Sequence, residues 1–145
     1  DSHTEEDWSM VEAMPVSPEL DARWRVLHAG IVPGIPMSEQ DPHHLTHLRS
    51  ISDTGVPSNR WGPPWGARYT GPPHIVFGHN ARKDVQIHAH ATGLDTGCVY
   101  GGALTALVVP LGREPPRPKD RSDALVSVQA KRQYASYGGG PLKNH

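Results

Sequence analysis

Two histidines occupy similar positions in the sequence, each at the end of a short apolar run and close to a glycine. His28 is followed by an Ala-Gly pair, and His79 directly follows a glycine. Polar residues at strand ends project into clefts, and a neighbouring glycine lets other atoms approach closely. Neutral imidazole is the commonest metal ligand among side chains. The pair therefore indicates a metal site, with a capped structural histidine at each strand end as the alternative.

Histidine is enriched in this sequence, at 10 of 145 residues, so the other histidines need an interpretation too. His88 and His90 are two positions apart and would share one side of a strand, where they form either a metal clip or, as we expect, a solvent-facing pair. His43, His44 and His47 cluster within five residues. They either contact a phosphate or nucleotide or form a solvated helix face.

Three aromatic residues lie in a proline- and glycine-rich stretch over residues 52–73, namely Trp61, Trp65 and Tyr69. Loops of this length tend to be functional or disordered, and the aromatic residues favour an ordered loop. These side chains either stack a nucleobase or attach the loop to the body of the protein. The tripeptide DTG at 95–97 resembles the nucleophile motif of aspartyl-phosphate enzymes, and a structural turn is the interpretation that we favour.

The elements that must position these residues are short. Apolar and β-branched runs predict strands over residues 24–29, 74–78, 85–88, 104–109 and 125–128. Ser38 is a candidate cap for a short helix that carries Leu45, Leu48 and Ile51 on one face. Residues 8–14 have at best a short helical face, and residues 135–145 are expected to form a flexible tail.

The composition narrows the class of protein. Gly and Pro number 15 each, which predicts a loop-rich α/β chain and argues against a helical bundle. A net charge of −1 gives no sign of a general nucleic-acid-coating surface, and a single cysteine excludes an internal disulfide. The sequence has no apolar run of transmembrane length and no recognisable signal or transit peptide. We expect an intracellular and preferentially cytoplasmic protein without a membrane partner.

Several ordered motifs resemble one family. The segments LHAGIVPGIP at 27–36 and FGHNA at 77–81 resemble the fourth and fifth metal motifs of the phosphoprotein-phosphatase superfamily. QDP at 40–42, LRSI at 48–51 and above all TGLDTGCVYGGALTAL at 92–107 resemble the symmetrical diadenosine tetraphosphatases and their ApaH-like relatives. The resemblance covers roughly residues 10–134.

The resemblance implies a fold, a site and a chemistry. The fold would be the C-terminal half of an α/β calcineurin-like metallophosphoesterase sandwich, with a mixed or antiparallel sheet and few short helices. His28 and His79 would bind the second of two metal ions, which could be Mn, Fe, Zn or Mg. Arg49 would bind the phosphate, since a guanidinium offers a bidentate fork to phosphate oxygens. Two such metals polarise a phosphoryl oxygen and generate a hydroxide for in-line attack.

The sequence also departs from the family. The three earlier family motifs, GDxHG, GDxxDRG and GNH, do not occur, and with them the first-metal ligands, the bridging aspartate and the general acid are missing. We therefore expect residues 1–145 to be the C-terminal portion of one metallophosphoesterase domain, without its N-terminal half. Alone, this chain is expected to be inactive. A half-fold would also expose an apolar sheet face that the N-terminal half or a partner protein covers.

Two functions follow from the sequence. The first is a metal-dependent phosphohydrolase of ApaH-like type, acting on a dinucleoside polyphosphate, a capped RNA 5′ end, polyphosphate or a phosphoprotein. The metal ligands do not distinguish these substrates, because all of them present charged phosphates. The alternative is a non-catalytic remnant that serves as a structural or interaction subunit of a larger assembly.

Overall fold

The computed structural model describes residues 4–136 and Gly138. Two short α-helices lie in this part of the chain, α1 over Glu5–Glu12 and α2 over Pro42–His47. The strands are β1 Glu19–Asp21, β2 Trp24–Leu27, β3 Ser50–Ile51, β4 Pro57–Ser58, β5 His74–Phe77, β6 Gln86–Ile87, β7 Ala91–Gly93, β8 Asp95–Thr96, β9 Ala103–Leu107 and β10 Leu125–Gln129. Four short 3-10 helices are interspersed, over Met37–Glu39, Trp65–Ala67, Cys98–Tyr100 and Pro118–Ala124. The predicted combination of mixed and antiparallel sheets with few helices is confirmed.

The central sheet brings three strand ends to one edge. Its order is β1-β2-β5-β7-β6, in which β2, β5 and β7 are parallel and the two outer strands are antiparallel to their neighbours. Leu27 pairs with Phe77, and Phe77 pairs with Gly93, so the last residues of the three parallel strands are in register. Side chains that follow these residues in the chain therefore meet at the same edge of the sheet.

One face of this sheet carries the hydrophobic core. Alternate residues of the parallel strands point to it, and α2 and the loop before β5 cover it. Trp65 is exposed over 1% of its surface and Ile75 over 0%, so the indole is fully inside the protein. The core consists of Leu27, Ile31, Leu45, Leu48, Ile51, Trp65, Ile75, Phe77 and Ala91.

A second, antiparallel sheet has the order β10-β9-β8, and its two faces differ in chemistry. One face carries a ladder of hydroxyls, in which Thr105 Oγ1 lies 2.7 Å from Thr96 Oγ1 and 2.8 Å from Ser127 Oγ. The other face carries the cross-strand pair Leu104 and Val128, which are 66% and 65% exposed. This sheet therefore leaves an apolar face open to solvent in the described chain.

A buried arginine fastens the proline-rich loop to the central sheet. Arg121 is exposed over 1% of its surface, and its guanidinium donates to the carbonyl oxygens of Pro116, His88, Ala89 and Ala91. Removal from water lowers the pKa of the guanidinium from its ordinary value, and the four carbonyl oxygens supply the hydrogen-bond acceptors that the buried group needs. The contacts tie the 3-10 helix Pro118–Ala124 to the connection between β6 and β7.

The structure corrects several predicted boundaries. Asp41, and not Ser38, caps α2: its carboxylate accepts a hydrogen bond from the backbone N–H of His43. Pro42 follows it at the first helical position, where its fixed φ and missing N–H are tolerated. Ile51 lies on β3 and not on the helix, because its N–H donates to Pro63 O.

The strands predicted over 24–29 and 104–109 both end two residues early, at Leu27 and Leu107. The helical face predicted over 8–14 occurs as α1, and none of its residues is buried. The expected flexible tail falls largely on residue 137 and residues 139–145, which lie outside the described residues. No helix in the described part of the chain has both the length and the apolarity to cross a membrane.

Candidate functional site

His28 and His79 meet at the edge of the central sheet. Nε2 of His28 lies 3.1 Å from Nδ1 of His79, and the ring centroids are 4.9 Å apart. The two strand ends are also joined through the backbone, because Gly78 N–H donates to His28 O at 3.0 Å. His28 is exposed and His79 is half-buried. The pair is therefore accessible to solvent, while the backbone bond between the two strand ends holds it in place. The separation of 3.1 Å between the facing nitrogens allows both to bind one ion.

His79 has an unusual backbone conformation. Its φ is 64°, and it is the one residue other than glycine with a positive φ in the described chain. The left-handed region costs an L-residue about 1–2 kcal/mol, and such residues cluster at functional sites. This conformation turns the ring back toward the end of β2. The sequence gives only a weak sign of it, because histidine is merely enriched in this region of φ and ψ.

Arg49 belongs to the same cluster. Its Nε lies 3.4 Å from Nε2 of His79, so the guanidinium and His28 approach opposite nitrogens of one imidazole. Arg49 is half-buried between α2 and β3, and its backbone N–H donates to Ser58 O. The structure therefore brings together all three residues that the sequence analysis selected, although they are far apart in the chain.

The surroundings of His79 favour its neutral form. Burial lowers the pKa of His79 from its ordinary value. The charges of Arg49, His28 and His47 lower it further, and Asp95 acts in the opposite direction. A neutral imidazole keeps the lone pair that a metal ligand needs.

Buried polar contacts hold the loop that carries His28. Gln40 is 7% exposed, and its carboxamide accepts from Val32 N–H at 2.9 Å and donates to Val32 O and Ile35 O. On the other side, Trp65 Nε1 donates to Ala29 O at 3.1 Å. Gly30 makes this contact possible, since a Cβ there would lie 2.5 Å from Trp65 Nε1. The sequence indicated a close approach beside Gly30 and a possible anchoring role for Trp65, but it gave no sign that Gln40 holds this loop.

The histidines of α2 extend the cluster, whereas those beyond β6 do not. His43 and His47 stack with ring centroids 4.3 Å apart, and His47 lies 6.0 Å from His79 in an edge-on arrangement. His88 packs on Gly66, whereas His90 packs against Gly71. Their different contacts argue against a metal clip. The expected solvent-facing pair is also wrong, because Nε2 of His88 is buried. Residues 4–136 contain no group of three or more histidine, cysteine or acidic side chains that could hold one ion.

The aromatic loop has two distinct parts. Trp65 is a core residue and lies 4.8 Å from the Phe77 ring, so it attaches the loop to the body. Tyr69 likewise donates its hydroxyl to Pro73 O at 2.8 Å. Trp61 is only half-buried, and its indole lies 4.8 Å from the Arg82 guanidinium and 5.9 Å from that of Arg49. Of the three aromatic residues, Trp61 alone has a surface toward the candidate site.

The tripeptide at 95–97 forms a turn. Asp95 Oδ1 accepts from Gly97 N–H at 3.0 Å, and Gly97 has a φ of 69°, which glycine adopts without strain. The carboxylate is thus engaged within its own turn, in agreement with the structural interpretation.

No protein-family model matches the chain. The chain is similar to bis(5′-nucleosyl)-tetraphosphatases. It is 36% identical over 106 residues to the asymmetrical enzyme PrpE of Geobacillus sp. (strain WCH70), an alignment that covers 70% of this chain and 42% of the relative. The PrpE enzyme of Bacillus thuringiensis (strain Al Hakam) is 34% identical over 106 residues, with 43% of the relative covered.

A solved structure is also similar. A crystal structure described as that of "a putative diadenosine tetraphosphatase" superposes with a TM-score of 0.70 and 28% identity, over 95% of this chain and 58% of that chain. The chain thus spans less than half the length of the two PrpE relatives. Both relatives are named as asymmetrical enzymes, whereas the motifs had indicated the symmetrical branch. The similarity therefore supports the tetraphosphatase class, but it does not support the symmetrical branch in particular.

Proposed function

We propose that this chain carries part of the active site of a metal-dependent phosphohydrolase that acts on dinucleoside polyphosphates. The observation that carries the proposal is the meeting of His28, His79 and Arg49 at one sheet edge, with 3.1 Å and 3.4 Å between their facing nitrogens. Similarity to bis(5′-nucleosyl)-tetraphosphatases supports the substrate class. The surrounding fold would be the C-terminal half of a calcineurin-like metallophosphoesterase sandwich.

His28 and His79 suit a single divalent ion, for which Mn²⁺, Fe, Zn²⁺ and Mg²⁺ are the candidates. Two nitrogens that each bind an ion at about 2.1 Å lie at most about 4.2 Å apart, and the facing nitrogens here satisfy this limit at 3.1 Å. Burial lowers the pKa of His79, which favours the neutral imidazole that binds a metal ion. A bound divalent ion would supply a Lewis acid for phosphoryl transfer. The remaining ligands would come from outside residues 4–136, which hold no cluster of three.

Arg49 would bind the phosphoryl group beside these histidines. When Nδ1 of a neutral His79 serves as a ligand, the ring carries its proton on Nε2. The Nε–H of Arg49, which now points to that Nε2 at 3.4 Å, then loses its acceptor. Phosphate oxygens are the acceptors that best match a guanidinium. Arg49 would therefore turn from the imidazole to the substrate as the site assembles.

The open apolar face supports a further part of the proposal. Leu104 and Val128 expose about two thirds of their surfaces, at 66% and 65%. We propose that an N-terminal half of the domain, or a partner protein, covers this face and contributes the missing ligands. Without it, the chain should show no phosphatase activity with Mn²⁺, Mg²⁺ or Zn²⁺.

Metal titration tests the proposal without relying on activity. Calorimetric titration with Mn²⁺ should show one site, and His28→Ala or His79→Ala should each weaken binding by about tenfold or more. His90→Ala is the matched control, because His90 packs against Gly71 away from this edge, and it should bind Mn²⁺ like the wild type. Equal binding by all four proteins would reject the assignment.

The second candidate is a non-catalytic structural subunit. It is favoured by one observation, that residues 4–136 supply only part of a metal site. Under this function the His28 and His79 variants would leave Mn²⁺ affinity unchanged, while variants of the exposed β9–β10 face would abolish assembly with the covering partner.

A further inference from the structure

A cavity of about 650 Å³ lies between the aromatic loop and the strand β6. Its volume falls within the range of about 300–1,000 Å³ that is typical of small-molecule sites. One wall is formed by Trp61 and Arg82, and the opposite side by the segment around β6. The lining residues are Trp61, Gly62, Pro63, Pro64, Arg82, Asp84, Val85, Gln86, Ile87 and His88.

Trp61 connects this cavity to the candidate site. Its indole lies 4.8 Å from the guanidinium of Arg82, in the cavity wall, and 5.9 Å from that of Arg49. Arg49 in turn reaches His79 at 3.4 Å. A ligand whose phosphate binds at Arg49 can therefore extend along the indole into the cavity without leaving the protein surface.

The lining has the chemistry of a site for a flat, nitrogen-rich ring. Nucleobases stack on indole rings such as that of Trp61, and Val85 and Ile87 add apolar surface to the lining.

We propose that this cavity binds the nucleobase of the substrate, with the half-buried indole of Trp61 as the stacking wall. This inference rests on the proposed function, since it places the base relative to a phosphate held by Arg49. In this proposal Trp61 binds the ligand, whereas Trp65 is a core residue. The residues around β6, which belong to none of the family motifs, line the base site. Its consequence is that the site prefers nucleotides over phosphates that carry no base.

Two probes that differ only in the base test the proposal, adenosine 5′-monophosphate (AMP) and ribose 5-phosphate. NMR titration of the full chain, followed through the indole N–H of Trp61, gives a dissociation constant for each. Stacking of one base is expected to make AMP bind about tenfold or more tightly than ribose 5-phosphate. Ile87→Trp, which fills the cavity from an exposed position, should reduce this preference to about one. Met10→Trp, a control at an exposed position on α1, should keep the wild-type preference.

The outcomes separate this inference from the proposed function. Equal affinities for AMP and ribose 5-phosphate in the wild type would overturn the base site and leave the phosphate site in place. A preference for AMP that Ile87→Trp does not reduce would also overturn it. If neither phosphate binds but adenosine alone shifts the Trp61 resonance and Ile87→Trp abolishes that shift, the cavity assignment holds and the phosphate site fails. Trp61→Ala provides a second variant, titrated through the backbone N–H of Ile87 because the indole probe is lost. It should lower the preference, whereas Trp8→Ala on α1 should not.

Discussion

At the scale of single residues, two of the histidines, His74 and His79, differ from ordinary surface histidines because their imidazoles are buried or conformationally constrained. His79 combines a left-handed backbone with a pKa lowered by burial and by the Arg49 charge. His74 is buried more completely, at 3% exposure, and bonds through Nε2 to Thr92 Oγ1 at 2.9 Å. Burial lowers the pKa of both imidazoles, and no sequence motif indicates that burial. The two differ in role, since only His79 lies at the strand edge with His28.

The buried His74 makes stability depend on pH. Burial, and to a lesser degree the charges of Arg121 and His90, lower the pKa of His74 from 6.5 to about 4. Between these values the unfolded chain binds a proton that folded His74 does not, so stability falls as the pH drops from 6.5 toward 4. The contribution lost by pH 4 is about 3 kcal/mol.

Urea unfolding at pH 7 and pH 4.5 measures this effect. His74→Gln retains a polar group near Thr92 but cannot titrate, so the wild type should lose more stability between the two pH values than the variant does. An equal loss in both proteins would show that His74 is readily protonated in the folded state.

At the scale of elements, the parallel pairing of β2 with β5 builds the site. Leu27 and Phe77 are in register, so the segments that follow them carry His28 and His79 to one edge. The glycines beside them have unequal roles. A Cβ at Gly30 would lie 2.5 Å from Trp65 Nε1, whereas a Cβ at Gly78 would meet nothing closer than His28 O at 3.6 Å. The first glycine is required by packing and the second is not.

This difference predicts unequal effects of two matched substitutions. Gly30→Ala forces Cβ against a rigid buried indole and should cost about 1–3 kcal/mol of unfolding free energy. Gly78→Ala meets only ordinary van der Waals contact and should change stability by less than about 1 kcal/mol. Thermal or urea unfolding of both variants checks the pair, and equal costs would contradict the packing account of the His28 loop.

Much of this arrangement could be predicted from the sequence, because local patterns report it. The apolar runs located β2, β5, β6, β9 and β10, and the resemblance selected His28, His79 and Arg49, which the fold does bring together. The positioning contacts could not be predicted, since Gln40 and Trp65 act on carbonyls of a loop rather than through a motif. The cap of α2 was misassigned because Ser38 and Asp41 are equally good caps by type, and the position of Pro42 decides between them.

At the scale of the whole molecule, the second sheet leaves an apolar surface uncovered. Leu104 and Val128 face each other across β9 and β10, and Val126 lies two residues along at 55% exposure. Their polar counterparts, Thr105 and Ser127, point to the other face and are hydrogen-bonded to each other at 2.8 Å. Exposed apolar patches of this kind mark interaction surfaces.

Replacing the exposed pair should therefore change association more than stability. The double variant Leu104→Thr/Val128→Thr should bind less of a hydrophobic dye and self-associate less than the wild type, and its unfolding free energy should change by less than about 1 kcal/mol, as threonine is accepted in strands. Val99→Thr, at another exposed apolar position, serves as the control and should leave dye binding nearly unchanged. Equal dye binding by the double variant and the wild type would place the apolar surface elsewhere.

The central claim is that His28 and His79 together bind one metal ion. Anomalous diffraction at the zinc absorption edge, from crystals soaked in Zn²⁺, measures this most directly. The account predicts a peak about 2.1 Å from both Nε2 of His28 and Nδ1 of His79, with the Arg49 guanidinium turned away from His79 Nε2. A map with no peak between the two rings, or with zinc bound only at the stacked pair His43 and His47, would contradict it.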